Sequence, residues 1–217
     1  MGDSWLQRLV VRGPAAEVAA FERAAASPKK PAYVTVRPAC RTQRLSFAKL
    51  RSLLPVRQAQ RLNEELEEPW DLVVDPVRQC KDGSREVTYK FQLSAFEPEH
   101  LIIRVSRLHP RLCFVIGCVA PNVDEQSSLL VHRGQTWQWH LPLRRKNAIW
   151  KKLVPEETAD NGDEVTWGLT QADWQMMDEV VGHWQPKMDV LMPRVLKEGR
   201  PARERGPRSV RRRRRGT

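Results

Sequence analysis

No CxxC pair, glycine-rich phosphate loop, GxSxG or HExxH occurs in the 217 residues. The commonest signatures of redox, nucleotide-hydrolysing, serine-hydrolase and zinc-protease chemistry are therefore missing. Cysteine is scarce: Cys40, Cys80, Cys113 and Cys118 have no histidine at metal-ligand spacing. Cys113 and Cys118 sit five apart in one predicted strand, so they face opposite sides of a sheet. Buried reduced thiols are expected there, not a metal site or a disulfide. The longest apolar run, Leu112 to Ala120, is nine residues, against the roughly 20 that a spanning helix needs. No basic segment precedes an apolar stretch near Met1, and Leu6 stands where a myristoylation signal has Ser or Thr. The expectation is a cytoplasmic protein with no membrane association, no metal and no cofactor.

What the chain does have is charge in one place. Of the formal +11, the segment from Lys197 to Thr217 holds ten Lys/Arg against two Glu, and residues 1–196 carry only +3. The tail ends in the run Arg211 to Arg215, which points to a polyanionic partner. The remainder, with a hydrophobic content of 41% over the whole chain and eight Trp, has the means to form an ordinary core.

Trp5 to Arg12 reads as a strand closed by Gly13-Pro14, and Pro14 suits the first turn of a helix reaching about Ala26. Val18, Phe21 and Ala25 share one helical face. Tyr33 to Arg37 alternates like a short strand, and Gln58 to Leu66 is a helix candidate. Glu86 to Ala95 alternates, with Val87, Tyr89, Phe91 and Leu93 on one side. Glu97-Pro98 opens a helix with an Ile102, Val105 and Leu108 stripe, stopped by His109-Pro110. Leu112 to Ala120 has the apolar continuity of a central strand or one covered on both faces. Leu129 to Leu141 holds one or two more strands. Strand–helix–strand thus occurs twice, around 5–37 and 86–120, which predicts an α+β, ferredoxin-like domain over residues 1–155: two βαβ units, an antiparallel sheet, helices on one face and the other face open. Residues 156–196 read as an acidic turn and a Trp-rich helical extension. Its Trp174, Met177, Val181 and Trp184 make one stripe, and Pro186 is the expected stop. Beyond Pro193, and throughout 197–217, the composition predicts disorder.

Trp5-Leu6-Gln7-Arg8-Leu9-Val10-Val11-Arg12-Gly13-Pro14 resembles the opening of the YubB ferredoxin-like family, plasmid- and phage-associated proteins of unknown biochemical function. Tyr89-Lys90-Phe91, Ser94-Ala95-Phe96-Glu97-Pro98 and Leu108-His109-Pro110-Arg111-Leu112 are similar to its later strand, its Pro-started helix and that helix's passage into the next strand. Trp70-Asp71 is similar to its central Trp. Leu6 replaces the family's Cys, Ser4 its Asn, and Glu67-Glu68-Pro69 stands where Trp-Gly-x-Lys is usual. The resemblance covers about residues 5 to 120 and implies the same fold and a mobile-element or defence context. It implies no catalytic residues.

The function expected is that of a non-enzymatic accessory protein contacting nucleic acid non-specifically through Arg208, Arg211, Arg212, Arg213, Arg214 and Arg215. Arg144, Arg145 and Lys146, with Lys151 and Lys152, form a basic cluster on the body that would extend the track, unless it is a solvated helix face. Trp137 and Trp139, two apart on a strand, share a side and have the chemistry to stack exposed bases; the competing role is packing beneath the C-terminal helix. His132 and His140 have no third metal ligand at useful spacing. Asp160 to Glu164 lacks the ligand spacing of a calcium loop and reads as an acidic turn. Cys113 with His109 is the nearest approach to a nucleophile and base, but a thiol opening an apolar strand is poorly placed to ionise. The alternative is a protein-interaction module docking a partner through the open sheet face or the Trp174/Trp184 stripe.

Overall fold

Trp5–Gly13 (β1) lies in the middle of a sheet with a partner on each side. The computed structural model describes residues 5–26, 45–60, 62, 69–93, 98–119, 126–153 and 171–198. After β1 come α1 (Ala15–Ala25), α2 (Phe47–Ser52), α3 (Val56–Gln60), β2 (Trp70–Val74), β3 (Arg78–Gln79), β4 (Arg85–Leu93), α4 (Glu99–Leu108), β5 (Cys113–Val119), β6 (Ser127–His132), β7 (Gln135–His140), α5 (Leu143–Leu153), α6 (Gln171–Gly182) and α7 (Gln185–Glu198). The sheet is antiparallel throughout, with six strands in the order β2-β4-β1-β5-β6-β7 and the short β3 added beside β4. The chain is therefore a mixed α+β protein whose sheet is larger than two strand–helix–strand units.

Alternation along β1 decides what each face receives. Leu9 and Val11 join Phe21, Phe47, Phe91 and Phe114 in one core, under α1, α2 and α4. Leu6 and Val10 join Val115, Val119 and Leu130 in a second core, under α6 and α7, with Ile149 of α5. Every residue of β5 is buried, as its unbroken apolar run requires of a strand covered on both sides. This corrects the expectation of an open face: α6 and α7 occupy it. Gly117 makes the close approach of α6 possible, because a Cβ there would lie 2.7 Å from Val181 Cγ2.

Several boundaries differ from the sequence reading. α6 ends at Gly182, and Pro186 lies in the first turn of α7, where a missing N–H costs nothing. Pro186 marks a start and not a stop, and α7 runs through Pro193 to Glu198. Leu108, assigned to the apolar stripe of α4, is 42% exposed at the helix's last residue, while Leu101 takes a buried place. α2 and β2 were not anticipated; α3 covers the start of the Gln58–Leu66 candidate, and residues 61 and 63–66 of it lie outside the described residues. The Tyr33–Arg37 strand, the 156–164 turn and the 199–217 tail lie outside the described residues. β6 and β7 form a hairpin closed by Arg133 and Gly134 at φ 54° and 77°, the two positive values of a type I′ turn.

Candidate functional site

The sheet register lines up a polar row across one end of the second face. Arg78 pairs with Glu86, Glu86 with Arg12, Arg12 with Cys113, Cys113 with His132, and His132 with Gln135. Directly opposed residues share a side, so all these side chains point toward α7. Arg12 is the centre of the row, only 2% exposed. Its Nε donates to Ser84 Oγ at 3.0 Å and its Nη2 to Asp82 Oδ2 at 2.8 Å. From α7, Asp189 Oδ1 sits 2.7 Å from Nη1. Asp82 is itself fixed by the Ser84 N–H at 2.9 Å and hydroxyl at 2.6 Å, in the turn that Gly83 closes at φ 86°.

The charge states follow from these contacts. Burial alone would lower the Arg12 pKa, but Asp189, Cys80 and Asp82 outweigh it and hold the guanidinium above its ordinary value. Burial pulls Asp82 the other way, and the Ser84 hydrogen bonds with Arg12 reverse that and keep the carboxyl ionised below its ordinary range. Further along the row, Cys113 Sγ is 3.4 Å from His132 Nδ1, which also lies 3.2 Å from the Leu112 carbonyl. Burial pushes the Cys113 thiol up to about 12 and holds His132 below its ordinary value. Both groups are neutral near pH 7, so they do not form a thiolate–imidazolium pair. His109 does not accompany Cys113: it packs edge-on against Phe21, at 5.7 Å, in the other core.

Beyond the row, cations collect where the hairpin turns. Arg133 donates from Nε to the Pro110 carbonyl at 3.1 Å and pairs with Glu198 at the end of α7. Arg111 reaches Glu17 at 3.6 Å, and the Arg107 side chain lies over Gly134. α7 thus ends, at Glu198, near the end of the sheet that holds Arg12, Arg111 and Arg133. The body cluster on α5 is elsewhere. It follows His140, at the far end of β7 from Arg133. Arg144 is exposed there, Arg145 is engaged by Glu179 at 2.6 Å, and Lys146 is half-buried. α5 passes through Trp150 without interruption.

Trp137 and Trp139 do share a side, the one facing α6 and α7. His183 lies flat on Trp139, with centroids 4.2 Å apart and planes 7° apart, and Lys187 Nζ sits 3.8 Å over the Trp137 ring. Each indole already has one face covered, and both pack against the second core. His132 and His140 fall at opposite ends of the hairpin. Among the described residues no three His, Cys, Asp or Glu side chains are grouped to hold a metal ion. Cys113 and Cys118 are buried and Cys80 is half-buried, with no disulfide among the described residues. Arg208 and Arg211 to Arg215 lie outside the described residues.

No family model, no curated protein and no solved structure matches this chain. Its own geometry carries the argument. The sequence reading missed Arg12, Asp82, Ser84 and Asp189. One signal was present: Arg12 shares the β1 side of Leu6 and Val10, and a charge on a buried side needs a partner.

Proposed function

We propose that this chain is a non-enzymatic accessory protein that contacts nucleic acid non-specifically through Arg208 and Arg211 to Arg215. The observation that supports it is the exit of the chain from α7. Glu198, the last described residue before the Arg-rich segment, is tied to Arg133 at an end of the sheet near Arg107 and the Arg111–Glu17 pair. Arg144 and Lys146 on α5 stand at the opposite end of the hairpin and would be reached only by polyanion spanning β7. Trp137 and Trp139 contribute packing ahead of base stacking, because His183 and Lys187 hold their faces. The competing reading is a protein-interaction module: α6 and α7 cover the sheet face it would use, and of its stripe Met177, Val181 and Trp184 are buried while Trp174 is half-buried.

The finer fold belongs to the same proposal. In the order β2-β4-β1-β5, with α1 to α3 between β1 and β2 and α4 between β4 and β5, each crossover straddles one strand, which is the split βαβ arrangement of a ferredoxin-like core. The β6–β7 hairpin and α5 to α7 extend it. That reading is the fold the YubB resemblance implies, with its mobile-element or defence context, and the cytoplasmic setting remains part of the same proposal.

Fluorescence anisotropy with labelled DNA and RNA across a salt series tests the function, comparing the full chain with one ending at Glu198. If eight tail charges engage duplex phosphates, log K falls with log salt at a slope of about −7. The truncated chain should lose most of that slope. Equal affinity and slope in the two chains would sink the proposal.

A further inference from the structure

The polar row opens, between α7 and the β3–β4 turn, into a cavity of about 540 Å3 whose lining includes the cations Arg12, Arg78 and Lys81, the carboxylates Asp82 and Asp189, and Cys80. Arg12 spends two of its donors inward, on Asp82 and Ser84. Its third nitrogen differs. Nη1 is within ion-pair distance of Asp189 yet has no aligned hydrogen bond, although it is fully buried. Asp189 is 54% exposed and accepts from Gln185 Nε2 at 2.9 Å on its own helix, so it can turn to solvent while Asp82 still balances the buried Arg12 charge. On the rim, Arg78 is exposed and shares its charge with Glu86 at 2.9 Å. Lys81 is exposed and has no carboxylate partner among the described residues.

We propose that this cavity binds a phosphate monoester, whose oxygens replace the Asp189 carboxylate on Arg12 Nη1 and engage Arg78 and Lys81 from the rim. A buried guanidinium with an unaligned N–H is a ready donor for a tetrahedral oxyanion, and two arginines match its fork geometry. Charge selects among oxyanions. The incoming group must displace a carboxylate of charge −1, so a carboxylate or a phosphodiester gains little. A monoester carries about −1.5 to −2 near neutral pH and gains from the exchange. Two sources supply that chemistry: a free small-molecule monoester, or the terminal phosphate of a nucleic acid. The site is independent of the Arg tail, which meets phosphodiesters.

The experiment titrates the full chain with inorganic phosphate, adenosine monophosphate, and one oligonucleotide with and without a 5′-phosphate. Affinity is read by calorimetry, and alkylation of Cys80 is followed peptide by peptide. Asp189→Asn and the double variant Arg78→Gln/Lys81→Gln are compared with the parent; both leave the buried Arg12–Asp82–Ser84 ties in place. The proposal expects phosphate to bind and to slow Cys80 alkylation. It expects Asp189→Asn to bind phosphate about tenfold more tightly and the double variant about tenfold more weakly, the scale of one charge-assisted hydrogen bond. A preference for the 5′-phosphorylated oligonucleotide that the double variant loses names the nucleic-acid end as the source. Equal oligonucleotides beside binding of adenosine monophosphate name the small molecule. If phosphate at millimolar concentration neither binds nor protects Cys80, or if Asp189→Asn does not tighten it, the Arg12–Asp189 pair is only a latch for α7 and the proposal is overturned. Failure of the tail reading looks different: both oligonucleotides lose their steep salt dependence while phosphate binding stands.

Discussion

Under α1, α2 and α4 the sheet meets a core of phenylalanines in edge-to-face contact, with Phe21 at 5.5 Å from Phe114 and Phe47 at 5.5 Å from Phe91. Under α6 and α7 the same strands meet Met176, Met177, Met188 and Met192 and a set of polar ties. Ser128 Oγ donates to the Val180 carbonyl at 2.7 Å and accepts from Trp184 Nε1 at 2.9 Å, while Arg8 reaches Asp178 at 2.5 Å and Arg12 reaches Asp189. Aromatic rings in fixed edge contacts specify their own packing. Methionines adapt to many shapes, so on the second face it is the hydrogen bonds and ion pairs that set where the helices sit. Both faces bury apolar cores, and the second also positions a helix over Arg12.

The largest test of that contrast is Phe114→Ala, expected to lose about 3–5 kcal/mol in urea unfolding. Met177→Ala, a like truncation at a comparable depth on the opposite face, should lose about 2–3 kcal/mol, the low end for a buried methionine, because the neighbouring methionines can close the gap. Similar losses at the two sites would erase the distinction. Next come two changes at about 1–3 kcal/mol by the same assay. Ser128→Ala strands the buried Trp184 N–H, and Gly117→Ala drives a methyl into Val181. If Ser128→Ala behaves like a surface change, polar ties do not set the second face.

A weaker effect comes from protons. Burial holds His132 on the second face and His109 on the first below their ordinary 6.5. A histidine with a depressed folded pKa binds fewer protons folded than unfolded between the two values. Its stabilising share is therefore intact above about 6.5 and lost as pH falls below it. Unfolding midpoints should drop between about pH 7.5 and pH 5.5, and His132→Gln and His109→Gln should each drop less than the parent. The smallest effect is Asp178→Asn, which removes an exposed partner and should cost under about 1 kcal/mol. A larger loss there would make the surface ties more important than their exposure allows.

Local patterns made much of this molecule readable in advance. β1, α1, β4, α4 and β5 all announce themselves by period, by Pro14 and by His109-Pro110. The apolar continuity of β5 allowed two readings, a central strand or one covered on both faces, and the second turned out to hold as well as the first. What hid the cover was distance: α6 begins at Gln171, beyond a stretch whose composition reads as loop, and Pro186 serves equally well as an end or a beginning. The site was less legible still. Arg12 could be flagged as an inward charge, but Asp82 lies 70 residues away in sequence and Asp189 farther, and no local rule connects them.

The central place of β1 also has a consequence for synthesis. It leaves the ribosome before every strand it pairs with, and its Arg8 meets Asp178 across 170 residues of sequence. At translation rates of about 5–20 residues per second, that gap takes on the order of ten seconds or more. During that interval β1, β4, β5 and β6 can already form a sheet whose Leu6, Val10, Val115, Val119 and Leu130 have nothing over them. A nascent chain halted after α5 would present that apolar surface to chaperones and to its neighbours on a polysome. Completion of α6 and α7 is the step that ends its need for protection.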